Sequence, residues 1–218
     1  MSNLYIDIFD DQRKQIWGKL SFFKDIGILG GGTALALQLK HRISFDFDIF
    51  SRKSITKNLL NKVKGIFSLQ QITPLVDSSD ELTLEIDNVK ITFLYYPFTK
   101  LFDTVKTDSI DIFSVNDIAA DKAYTVGRRG AWRDYYDVFS LIKKGVVSLN
   151  ELISLAKKKY GTLFNEKLFL EQLTYFEDIK DFSVEVKDGV AFPVHDVQNY
   201  LSLEVKEYLS KTLPISSS

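Results

Sequence analysis

"GGGTALALQLKHRISFDFDIF" (residues 30–50) decides how the chain is read. In its second half Phe45, Phe47 and Ile49 fall on one beat, and Ser44, Asp46 and Asp48 on the other. Successive strand side chains point to opposite faces, so residues 44–50 are expected to form a strand with one apolar and one polar face. Two carboxylates on one face at this spacing lie ~6–7 Å apart at the backbone and repel each other. A hard divalent cation held between them would offset the repulsion. The plainer alternative is the wet side of a half-buried strand. In the first half, Ile28-Leu29 reads as a short strand running into Gly30-Gly31-Gly32, followed by a helix from Thr33 to about Lys40. A glycine turn between strand and helix offers backbone N–H groups and the positive end of the helix dipole to an anion. It is also what any turn with a left-handed residue requires.

Outward from this stretch the chain splits in character. Asp10 or Asp11 caps a first helix with Ile16, Leu20 and Phe23 at helical spacing. Residues 54–67 read as a helix, and 69–76, 82–87 and 89–96 as strands, the last two joined by an Asp87-Asn88 turn. From Val115 on the pattern is helical, with capping boxes at Ser114/Asp117 and Ser148/Glu151 and glycine stops at Gly130, Gly145 and Gly161. Residues 182–193 read as a hairpin or ordered loop, 195–211 as a last helix, and the residues from Pro214 on as a frayed tail. The expected organisation is an α/β part over residues 1–100 and a helical part over 101–218 that completes an active-site cleft.

Composition narrows the function. Lys and Arg (28) nearly balance Asp and Glu (29), so no net field advertises nucleic acid or membrane, though local basic clusters could bind RNA. Cysteine is absent, which removes disulfides and thiolate metal sites. The first residues show no basic start and apolar run of a secretory signal, and no apolar run is long enough to span a bilayer. A cytoplasmic protein is expected.

A second group of chemical residues lies in the helical part, in "NDIAADKAYTVGRRGAWRDYYDVFSLI" (residues 116–142). Lys122 and Arg129, seven apart, are expected on one helix face, a pairing suited to gripping phosphate. Asp134 and Asp137 share a face of the next helix, with Arg133 placed to pair Asp137. An ordinary intrahelical salt-bridge network would show the same pattern. Lys157-Lys158-Lys159 reads as a solvated helix end. His41 and His195 have no partner pattern and read as structural.

Gly31-Gly32-Thr33-Ala34-Leu35, Arg42-x-Ser44-x-Asp46-x-Asp48, Lys122, and Arg129-Gly130-x-x-Arg133-Asp134-x-x-Asp137, in this order, resemble the AbiEii/AbiGii toxin family. Its members are nucleotidyltransferase-like proteins of the DNA polymerase β superfamily, often the toxin half of a bacterial toxin–antitoxin or phage-defence pair. The resemblance implies an α+β fold, a polymerase β-like palm with a small mixed sheet and a C-terminal helical half. It implies NTP binding on Gly31, Gly32 and Thr33, with Ser44, Lys122 and Arg129, and Mg²⁺ (or Mn²⁺) on Asp46 and Asp48. The implied catalytic set is Asp46, Asp48, Lys122 and Asp134; Arg42, Arg133, Asp137 and Glu85 are supporting candidates. The implied reaction is transfer of NMP from an NTP to an acceptor, RNA and tRNA first among the candidates, with a cognate antitoxin as partner and neither DNA nor membrane involved.

One departure stands out. Many polymerase β-like enzymes carry a third carboxylate on a neighbouring strand, but Lys90-Ile91-Thr92-Phe93-Leu94-Tyr95 holds no acid. Thr92 is the nearest polar residue there, and Glu85 a substitute from the strand before. Two other functions therefore stay open: a small-molecule nucleotidyltransferase of the antibiotic-modifying type, and a degenerate NTP-binding or interaction protein.

Overall fold

A computed structural model describes residues 4–212; the tail from Pro214 lies outside them. The chain divides into two compact units, Met1–Ser114 and Val115–Ser218.

The first unit is built on a five-stranded mixed sheet of β1 (Ile28–Gly30), β2 (Phe47–Ser51), β3 (Ile72–Asp77), β4 (Glu81–Ile86) and β5 (Val89–Tyr95). The spatial order is β1-β2-β5-β4-β3, with β2 and β5 parallel and the other pairs antiparallel. Around it lie helices α1 (Asp11–Lys19), α2 (Gly31–Leu39) and α3 (Asn58–Ile66). Asp10 caps α1 as expected, accepting from the Arg13 N–H. The β4–β5 hairpin turns on Asp87 and Asn88 with φ of 48° and 68°, the left-handed pair that matches strand twist, on residues that tolerate it better than most. Alternation does the rest. Phe47, Ile49, Leu82, Leu84, Ile86, Val89, Ile91 and Phe93 are buried, and Phe23 seats its ring 5.1 Å from that of Phe93 and 6.4 Å from that of Phe67. Such rings bury large apolar areas and dominate a core of this kind.

Two boundaries differ from expectation. The strand carrying the aspartates starts at Phe47, so Asp46 precedes it. The reason is local: the Phe45 carbonyl accepts from Arg13 Nε (3.1 Å) and the Asp46 carbonyl from the Thr33 hydroxyl, so side chains take the places of ladder partners. Residues 101–114, expected to open the helical part, belong to the first unit. Leu29 donates its N–H to the Asp111 carbonyl and accepts from the Phe113 N–H, both at 2.9 Å, which closes the open edge of β1.

The second unit is helical: α4 (Val115–Val126), α5 (Trp132–Lys143), α6 (Leu149–Tyr160), α7 (Glu166–Leu173) and α8 (Val194–Thr212). Ser148 and Glu151 form the expected capping box on α6. Asp117 has another partner besides any capping role, for its carboxylate meets Lys159 at 3.1 Å, fully buried. Residues 182–193 form an ordered loop without strands, held by Phe182 against Trp132 (5.0 Å) and Phe192 against Phe139 (5.1 Å). Among the described residues no helix is long and apolar enough to cross a membrane.

Candidate active site

The glycine turn and the aspartates meet in the first unit. Gly30 caps α2 without a side-chain bond, leaving the first-turn N–H groups of α2 without a capping oxygen from it. Gly31 has φ +65°, and a Cβ there would lie 2.6 Å from Asp48 Oδ2, so the position requires glycine twice over. At Gly32 a Cβ would collide with the Arg42 guanidinium. Register pairs Gly30 with Asp48, which brings the turn and the second carboxylate side by side.

Thr33 and Ser44 are buried. Their hydroxyls lie 2.9 Å apart, and Thr33 donates to the Asp46 carbonyl. This pair fixes the approach of the chain to β2, and with it the position of Asp46. Arg42 is 4% exposed, donates to the Ile43 carbonyl (3.0 Å) and sits before the strand, beside Gly32. Its guanidinium adds positive charge beside the start of α2.

Asp46 and Asp48 are half-exposed hard-oxygen donors at the mouth of a turn that excludes any side chain larger than hydrogen. That donor chemistry fits a hard divalent cation such as Mg²⁺ or Mn²⁺. Among the described residues no group of three or more His, Asp or Glu side chains is placed to hold a metal ion. Thr92 is opposite Asp48 on β5, its hydroxyl 3.1 Å from that of Thr83. Glu85 is opposite Lys90, one strand further from the aspartates. Lys90, which sequence reasoning passed over, places Nζ 3.6 Å from Asp46 Oδ2. The signal was available: Lys90 shares strand parity with Thr92, on the polar beat of β5.

In the second unit Lys122, Arg129, Asp134 and Asp137 come together, by a route other than the expected one. α4 ends at Val126, so Arg129 lies beyond the helix instead of two turns along its face. Both cations turn to α5. Lys122 Nζ is 2.7 Å from Asp134 and 2.6 Å from Asp137, all three buried, and Arg129 Nε donates to Asp134 at 2.8 Å. Asp137 thus takes Lys122 as partner, while Arg133 is exposed and its charge acts on Asp181. Burial pushes the Asp134 carboxyl up, but the charge of Lys122 and the hydrogen bond and charge of Arg129 outweigh it. The net effect holds it below the ordinary carboxylate range despite the opposing charge of Asp137.

A second buried cluster was not foreseen. Lys159, expected at a solvated helix end, has a fully buried side chain 3.1 Å from Asp117 and 2.6 Å from Asp121. Asp121 also accepts from the Tyr160 hydroxyl (2.8 Å), and the Tyr160 ring stacks on Tyr124 at 3.9 Å. Asp117 and Asp121 at i,i+4 on α4 were the clue, since like charges at that spacing repel unless a cation joins them. Of the two histidines, His41 is buried and His195 exposed.

A five-stranded mixed sheet with Gly-Gly-Thr at a helix start, Asp46 just before the next strand and Asp48 on it is the arrangement of a nucleotidyltransferase, and the comparisons with known proteins agree. Residues 17–202 match the family model described as nucleotidyl transferase AbiEii toxin of a type IV toxin–antitoxin system, and the chain belongs to that family. Protein aq_aa25 of Aquifex aeolicus (strain VF5), itself uncharacterized, is 33% identical over 183 residues, 83% of this chain and 87% of that one. The fold is shared with JHP933 of Helicobacter pylori (18% identity, 93% and 94% of the two chains, TM-score 0.57). It is also shared with the nucleotidyltransferase toxin MenT4 of Mycobacterium tuberculosis H37Rv (11% identity, 88% and 80%, TM-score 0.57).

Proposed function

We propose that this nucleotidyltransferase uses a divalent cation, Mg²⁺ or Mn²⁺, to move NMP from an NTP to an RNA acceptor, with tRNA the first candidate. In the cell it acts as a toxin held in check by a cognate antitoxin, in the cytoplasm. The observation that carries the reading is the seating of Asp48 against Gly31, with Asp46 two residues before it, at the start of α2, where Gly30 supplies no side-chain cap.

The acceptor oxygen attacks the α-phosphorus, the bond to the α–β bridging oxygen breaks, pyrophosphate leaves, and the hydroxyl proton is released. Gly31, Gly32 and Thr33 meet the phosphates through backbone N–H groups, since the Thr33 and Ser44 hydroxyls are engaged within the fold. Arg42 adds a fixed positive charge beside them. Asp46 and Asp48 hold the cation, which when bound neutralises charge on the triphosphate and polarises it toward attack. In the second unit Arg129, with a side chain 65% exposed, is proposed to meet negative charge, while Lys122 and Asp137 hold Asp134 in place. A carboxyl depressed as Asp134 is makes a weak base at neutral pH, so positioning Arg129 suits it better than taking a proton.

The near-neutral net charge favours a second reading, a small-molecule acceptor, because RNA-binding surfaces are as a rule basic. A transfer assay separates them. Purified protein is incubated with Mg²⁺, each α-labelled NTP in turn, and either total tRNA or a small-molecule panel, beside Asp46→Ala. Label on RNA that vanishes in the variant is the expected result. Label on a small molecule alone would replace RNA by the second reading, and label that persists in the variant would end the account.

A further inference from the structure

The polar face of the sheet carries fewer carboxylates than a pair of cations needs. β5 runs parallel beside β2 with Thr92 opposite Asp48, and one pleat earlier Lys90 reaches Asp46 (Nζ to Oδ2, 3.6 Å). The next strand offers no relief: Glu85 is paired with Lys90, and Glu81 accepts from the Thr83 hydroxyl at 2.6 Å, two strands from Asp48. Asp46, Asp48 and Lys90 together sum to one negative charge, and the Arg42 guanidinium beside Gly32 adds a positive charge to that. Paired metal sites place two cations about 3.5–4 Å apart and rely on carboxylates to screen them from each other. Here an ammonium already stands 3.6 Å from one of the two carboxylates, and it would repel a second divalent ion held there.

Resting on the nucleotidyltransferase reading above, we infer that the site takes a single divalent cation, and that Lys90 replaces the second as a fixed positive charge on Asp46. Asp48 and Asp46 hold the one ion. Lys90 lies against Asp46 and sets the ion number by its charge. It acts through Asp46 and is a positioning residue.

Ion number is counted directly, without turnover. The full chain is saturated with a non-hydrolysable NTP analogue and titrated with Mn²⁺, with free ion read by electron paramagnetic resonance. Expected is one Mn²⁺ per protein–nucleotide complex in the wild type and two in Lys90→Asp, which restores a third carboxylate. Lys90→Met removes the charge with little change of bulk and should bind the single ion several-fold more tightly, lifting the repulsion. Two ions in the wild type overturn the inference. So does one ion in Lys90→Asp together with an unchanged affinity in Lys90→Met, which would leave Lys90 without influence on the site. Asp48→Ala separates the levels: nucleotide and Mn²⁺ binding indifferent to that change would overturn the nucleotidyltransferase reading itself, and the inference with it.

Discussion

At the residue scale, Gly31 and Lys159 show how little tolerance the two units have at single positions. Gly31→Ala forces a left-handed alanine, at about 1–2 kcal/mol, and drives its methyl against the Asp48 carboxylate. Transfer activity should fall by more than tenfold while the far-ultraviolet circular dichroism stays native; activity within twofold of wild type would show that Asp48 can move without consequence. Lys159→Met leaves Asp117 and Asp121 buried with no cation between them. Breaking a buried pair costs about 3–5 kcal/mol, which urea denaturation would register as a lower midpoint. Asp134 adds a pH dependence of known sign. Its carboxyl is depressed in the folded state, so its contribution is full above the ordinary carboxylate value of about 4 and fades as pH falls through the lower folded value. Wild-type stability should therefore drop in that acid window, and Asp134→Asn, weaker at neutral pH, should drop less steeply there.

At the element scale, what the amino-acid pattern reveals depends on how local the cause is. The β2, β4 and β5 alternation, the α6 capping box and the left-handed Asp87-Asn88 turn are set by neighbours in sequence, and all were legible. The late start of β2 was not, because Arg13 and Thr33 reach in from elsewhere to take its first carbonyls. The end of α4 at Val126 and the burial of Lys159 were hidden for the same reason: partners on α5 and α4 decide them. In the candidate site the Asp-x-Asp pair and the glycine turn were readable, whereas Lys90 needed the β2–β5 pairing to bring it beside Asp46. Capping is the simplest element-level test. Ser148→Ala removes one side of the box and should cost α6 about 1 kcal/mol, measured as a shift of the thermal midpoint.

At the scale of the whole molecule, two compact units each carry one tryptophan, Trp17 in the first and Trp132 in the second. Fluorescence of Trp17→Phe and Trp132→Phe proteins therefore follows each unit separately. With Lys159→Met added, the Trp132 signal should be lost at a temperature lower by more than 10 °C, given about 4–8 °C per kcal/mol in units of this size. A smaller shift of Trp17 would mark two cooperative units, and an equal shift a single one.

The outer edge of the sheet has a consequence of its own. β3 leaves its far side open, and its Leu75 and Val76 are exposed, the kind of border onto which a second polypeptide could zip. Pro74 removes a donor there, and the pairing with β4 slips between Pro74 and Val76, breaking the straight run a newcomer would need. Without that interruption, copies of the chain could join edge to edge. That one imino acid and one irregularity give it a shelf life, and Pro74→Val would turn a storable protein into one prone to fibrils.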